Sequence, residues 1–137
     1  MSQLPTRIRN LPRMTMTQEK NGALLLQDCY CARGFMSRFF GLMGVSELAA
    51  SEGLLLEPCK DIHMGFMNFS IDAIFLRRLS RSDDRATRYE ITSVRDNLQP
   101  WRLLPAGDRS ATSTLEVQSG FSARLGIRPG DIILCSN

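Results

Sequence analysis

Histidine occurs once in this chain of 137 residues, tryptophan once and lysine only twice, and nowhere is there a run of about 18 apolar residues. Each shortage excludes a class. A lone His63 lacks the second imidazole that converging zinc sites use. Without a long apolar run no helix is expected to span a membrane. No block of roughly 7 to 15 apolar residues follows Arg7, Arg9 and Arg13, so a secretory signal is not expected and a cytoplasmic location is. The four cysteines, Cys29, Cys31, Cys59 and Cys135, never stand as CxxC, and in a reducing compartment they read as free thiols and small core residues. Internal repeats and low-complexity tracts are also missing.

What is present suits one globular domain. Hydrophobic residues make up 43% and charged residues 23%, enough to bury a core without a metal or disulfide staple. Fifteen arginines against Lys20 and Lys60 give a formal charge of only +3, because fourteen acids are interspersed among them. Codon composition produces such a bias as easily as ligand binding does, so nucleic acid is not an expected partner.

Residues 1–20 mix Pro5, Pro12 and polar side chains and read as a flexible or loosely docked arm before a single domain over 21–137. Ala23–Ala32 reads as a half-buried strand, with Cys29 and Cys31 sharing one face. Phe35, Met36, Phe39, Leu42 and Met43, spaced by three and four between glycines, predict a short helix laying this face on a sheet, and Ser46–Ser51 a further helical turn. Gly53 then opens the strand LLLEP, and after a loop over 59–70 the run IDAIFLRRL pairs with YEITSV as a hairpin. Pro100, Trp101 and two leucines suggest an ordered loop folded over the sheet. STLEVQS, FSARLGI, RPGD and IILC read as strand, short helix, turn and strand.

The loop 59–70 is too rich in Met, Phe, His and Asn for a simple linker, and it marks the expected pocket. Asp72 enters an apolar strand, where an unpaired carboxylate is costly, so it needs a partner. Arg38 is the expected one, and Asp72 is either an anchor for the loop or an acid. Glu116 alternates with Leu115 and Val117 and so faces away from them, into solvent or into a polar pocket. His63, Met64 and Met67 with Cys59 are soft enough to consider copper(I), and Cys59 with His63 to consider a thiol hydrolase, but packing explains Met and Phe more simply. No metal and no cofactor is expected. Arg77, Arg78, Arg81, Arg85 and Arg88 cluster on the hairpin, where Asp83 and Asp84 interrupt them, and read as a solvated tip.

Five segments in fixed order carry a resemblance. They are RxxGLM at Arg38–Met43, the strand GLLLEP, the loop HMGFMNFSIDAIFL, Pro100 with Trp101, and the ending LEVQSGFSARLGIRPGDIIL. Together, over residues 23–135, they resemble the prokaryotic domain of unknown function 192 family. The resemblance implies a compact domain with a small curved sheet or barrel and one or two short helices; it implies no activity. More familiar members have a loop resembling FWMKNT and often an export signal, whereas this loop reads FMNFS, which suggests a cytoplasmic branch. LGIRPGD also resembles the Gly-Asp turn of cradle-loop barrels, with Gly130 and Asp131 as structural turn residues.

These readings converge on an α+β domain with a small, strongly curved, mainly antiparallel sheet or barrel. The expected function is binding of a small molecule or peptide in a cleft formed by the loop 59–70 and the strand starting at Ile71. Arg38, Met43, His63, Met67, Asn68, Asp72 and Trp101 are the expected cleft residues. Two alternatives are an enzyme using Asp72 or His63 as acid or base, and a module docking a protein partner through the hairpin 77–88.

Overall fold

Side chains alternate across a strand, so each strand offers two faces, and this chain buries apolar residues on both. The computed structural model describes residues 3–82 and 86–137. Its strands are β1 (Arg13–Gln18), β2 (Leu24–Ala32), β3 (Glu52–Leu56), β4 (Asp61–Ile62), β5 (Ile71–Ser82), β6 (Ala86–Leu98), β7 (Ala106–Gly107), β8 (Ser113–Gln118) and β9 (Ile132–Ser136). Seven of them close into a barrel in the order β1-β2-β3-β8-β5-β6-β9, while β4 pairs with β7 alone. β1 meets β9 to complete the ring, which removes the unpaired edges of an open sheet. Three short helices accompany them, α1 (Thr6–Arg9), α2 (Phe35–Phe40) and α3 (Phe121–Leu125), so the class is α+β with a closed, mainly antiparallel barrel.

One apolar cluster takes residues from all seven barrel strands, among them Met16, Cys29, Leu55, Ile74, Ile91, Leu115 and Ile133, and it fills the lumen. The second takes the opposite strand faces, such as Tyr30, Leu54, Leu56, Ala73 and Phe75, and is covered by Ile8, Leu42, Val45, Leu48, Met64 and Met67. At about 25 cal/mol per Å² of apolar surface removed from water, this double burial dominates stabilisation. Among the described residues no helix is long and apolar enough to cross a membrane.

β2 and β3 run parallel, unlike the other neighbouring pairs. Parallel neighbours need a crossover, and residues 33–51 supply it, carrying α2 across the outer face of the barrel. This connection makes the roof of the site described below.

Several expectations change. The 1–20 arm is not loose over Arg13–Gln18, since β1 pairs with β2 and β9 and Met16 is fully buried, and Ile8 of α1 is buried as well. Those partners lie elsewhere in the chain, which a local reading of a proline-flanked segment cannot supply. Of the face predicted to be buried, Phe35, Met36 and Phe39 stand in solvent, as does the neighbouring Phe40, while Leu42 is buried and Met43 half-buried. Gly41, at φ 46° and ψ −126°, turns the chain after α2, so that Leu42 enters the core while the helix stays outside it. Residues 46–49 form no helical turn, and Leu103 and Leu104 project into water rather than over the barrel. The hairpin strands are longer than expected, β6 running on to Leu98. Asp83, Asp84 and Arg85 lie outside the described residues.

Candidate functional site

Below α2 the outer face of the barrel carries a cleft of about 200 Å³. Arg38, Phe39 and Phe40 come from α2, and Gly41, Leu42 and Met43 from the turn that leaves it. Cys59, Asp61, Ile62 and His63 form the opposite wall, where the chain is held out by the β4–β7 pair, and Met67 closes one end. Leu56 of β3 and Glu116 of β8 lie on neighbouring barrel strands and form the floor. A second, mostly apolar hollow of about 420 Å³ shares Phe39, Phe40, Met43 and His63 with it and adds Gly44 and Phe66.

Glu116 is the unusual member. It is only 4% exposed, and its Oε1 has no hydrogen-bond partner. Burial without a compensating charge raises its carboxyl from the ordinary 4.5 to about 7. Gly41 passes close above, where a Cβ would lie 3.7 Å from Oε1. Arg38 lines the same cleft, yet its terminal nitrogen donates to the Pro58 carbonyl at 3.0 Å and its buried Nε is unpartnered. Among the described residues no ion pair joins Arg38 to Glu116.

Cys59 is held by its own surroundings. Its thiol donates to the Asp61 carbonyl at 3.1 Å, its carbonyl accepts from the Thr114 hydroxyl at 3.1 Å, and burial pushes the thiol pKa up. That is opposite to the lowered pKa of an activated nucleophile. Met64 is buried in the core, and no group of three or more His, Cys, Asp or Glu among the described residues is placed to hold a metal ion.

Of the residues expected in one cleft, Arg38, Met43, His63 and Met67 do line it. Asn68 is exposed and lies outside the lining, and Trp101 stands apart, its indole edge-on to Phe66 at 4.9 Å. Asp72 is not there either, and Arg38 is not its partner. Alternation turns Asp72 away from Ala73, toward the barrel end closed by α3. There its Oδ1 accepts from the Asn97 N–H at 2.9 Å and the Gly120 N–H at 3.2 Å, and its Oδ2 from the Ser122 N–H and hydroxyl. The cleft floor is therefore formed by β3 and β8, not by the strand starting at Ile71. Glu116 carried a signal in sequence, a carboxylate between Leu115 and Val117, but only the non-local crossover decides that its face is covered.

At the turn, Asp131 accepts from the Arg128 N–H at 3.1 Å and from Gln18 Nε2 at 3.2 Å, with Gly130 at φ 93°. On the hairpin, Arg77 pairs with Glu90, Arg78 with Glu57 at 3.4 Å and Arg88 with Glu19 at 2.7 Å, so three of its cations face acids.

Solved structures share this architecture. One from Sinorhizobium meliloti 1021, described as a candidate transcription regulator, matches with a TM-score of 0.70 at 22% identity over 88% of this chain and 90% of its own. Another from Novosphingobium aromaticivorans, of unknown function, matches at 0.71 and 24% identity over 97% of this chain and 92% of its own. At such identities the likeness is one of fold. None of the curated proteins matches the chain. The profile of the domain of unknown function 192 family, described as an uncharacterized ACR, matches residues 16–135, from within β1 to within β9. Since that span takes in every strand of the closed barrel, the chain belongs to the domain of unknown function 192 family.

Proposed function

We propose that this protein is a binding module whose ligand carries an apolar body and a polar head into the cleft between α2 and the segment 59–63. The observation that carries this reading is the unpartnered, buried Oε1 of Glu116 on the cleft floor. A buried polar group without a partner costs about 1–3 kcal/mol, and a ligand that supplies the missing hydrogen bond recovers it. Around it Phe39, Phe40 and Phe66 stay in solvent at 55%, 41% and 64% exposure, which is where an apolar body gains contact area.

A fragment screen by protein-observed NMR tests the proposal. Fragments are expected to perturb Gly41, Met43, His63 and Glu116 together, and Glu116→Gln to alter which fragments bind. Fragments that bind only elsewhere, or none at millimolar concentration, refute it.

A further inference from the structure

Resting on that binding reading, we infer that the head group is a primary ammonium, presented by a lysine side chain of a peptide segment whose apolar neighbours lie along the exposed aromatics of α2. The cleft's volume sets the scale. At about 200 Å³ it falls below the ~300–1,000 Å³ of sites for whole drug-sized ligands, so it takes a single side chain rather than a complete molecule. The exposed apolar surface beside it, formed by Phe35, Met36, Phe39, Phe40 and Phe66, is too extended for that one group and suits the residues flanking it.

Charge selects the head. Glu116 is a carboxyl buried without a counterion and kept partly protonated near neutral pH by that burial, and a cation is the head group that draws it into its charged form while filling the empty acceptor. Among the described residues no hydrogen bond reaches either oxygen of Glu116 and Oε1 is fully enclosed, so in a narrow cleft the compact point charge of an ammonium suits it better than the broad planar guanidinium of arginine. Phe39 and Phe40 line the way in, and their ring faces favour a passing cation, while Leu42, Leu56 and Met67 accommodate the methylene stem. The other charged or titratable groups facing this cleft are Arg38 from α2 and Cys59, Asp61 and His63 from the opposite wall. Arg38 is turned to the Pro58 carbonyl, and Asp61 adds a second anion at the exposed rim.

The test uses hexapeptide libraries with one fixed central lysine, and the same libraries with that lysine acetylated, titrated against the full-length protein. The lysine library is expected to bind about tenfold tighter or more, the worth of one charge-assisted hydrogen bond. That preference is measured on the unmodified protein and needs no variant. It is expected to disappear in Glu116→Gln, with folding checked by circular dichroism. Equal binding of both libraries overturns the ammonium head but leaves the binding module standing. No binding of either overturns the inference, and the fragment screen then decides the module separately. A preference that survives Glu116→Gln and vanishes in Asp61→Asn assigns the cation to the rim and also overturns it. Butylamine binding as tightly as the best peptide overturns the peptide source.

Discussion

The Ser122 hydroxyl donates to Asp72 Oδ2 at 2.8 Å, and the backbone N–H of the same residue donates to the same oxygen at 3.0 Å. Helix α3 is preceded at its N-cap position by Gly120, which has no side chain to cap the helix's first N–H groups. Asp72, arriving from β5, does so from a distance in sequence, and it also takes the Asn97 N–H. It ties β5, the end of β6 and α3 together.

Removing that carboxylate strands several donors in a fully buried place. Asp72→Ala is expected to cost about 3 kcal/mol or more, at about 1–3 kcal/mol for each donor left unpaired. Ser122→Ala removes one bond to a charged acceptor and keeps the backbone contact, for about 1.5–3 kcal/mol. Urea denaturation measures both. Equal, small losses for the two variants contradict the cap.

How far the sequence could be read follows from where each partner lies. Strands β2 and β8 were legible because alternation is a local property of LLLQDCYCA or STLEVQ, and β5 and β9 because a short run rich in Ile, Leu and Phe is local too. That Asp72 needs partners was legible too, from the cost of burying a carboxylate. The identity of those partners was not, since Ser122 lies 50 positions away. The same limit hid β1, whose neighbours are β2 and β9, and it reversed the reading of α2. Helical spacing told correctly that Phe35–Phe40 forms a helix, but whether its face meets a sheet or water depends on the turn at Gly41 and on Leu42, Val45 and Leu48 taking the core positions instead. Glu116 stood between solvent and pocket for the same reason.

Glu116 makes stability depend on pH in a definite direction. Its folded-state carboxyl, raised to about 7, holds a proton that the unfolded chain releases near 4.5. Between those values the native state binds more protons, so stability is greatest below about 4.5 and declines as pH rises through about 7. At about 1.4 kcal/mol per pH unit the full decline is on the order of 3 kcal/mol. Glu116→Gln cannot charge, so it is expected to match the native protein near pH 5 and exceed it by up to about 3 kcal/mol near pH 8. Denaturation curves at the two pH values decide. An identical difference at both shows that the carboxyl is not held neutral by burial.

At the other end of the barrel a second buried acid is fully served. Glu57 Oε2 accepts from the Tyr89 phenol at 2.8 Å and the Ser113 hydroxyl at 2.6 Å, and Arg33 and Arg78 approach Oε1 at 3.4 Å each. Burial, and then the neighbouring carboxylate, push the phenol pKa far above the ordinary tyrosine range. Tyr89→Phe is expected to cost about 1.5–3 kcal/mol, as the loss of a bond to a charged acceptor. Because Tyr89 and Ser113 share one oxygen, the double variant with Ser113→Ala is expected to depart from additivity by about 0.5 kcal/mol or more. Strict additivity in urea melts contradicts a shared network.

Trp101 provides an intrinsic reporter of the aromatic rim. Its indole is 57% exposed and meets Phe66 edge-on, with ring centroids 4.9 Å apart. Both residues sit at positive φ, 60° and 61°, where side chains other than glycine are uncommon, and backbone bonds hold them there: the Trp101 N–H donates to the Met64 carbonyl at 2.8 Å and the Gly44 N–H to the Phe66 carbonyl at 3.1 Å. Phe66→Ala removes one wall of the indole's surroundings without touching the barrel. It is expected to shift Trp101 emission to the red and increase quenching by iodide, at a stability cost of about 0.5–1.5 kcal/mol for the lost pair. Because Phe66 also lines the hollow beside Glu116, a ligand seated there changes the same emission in the native protein and leaves it unchanged in Phe66→Ala. Quenching identical in the two proteins shows that Phe66 does not shield the indole in solution, and the rim then loses its reporter.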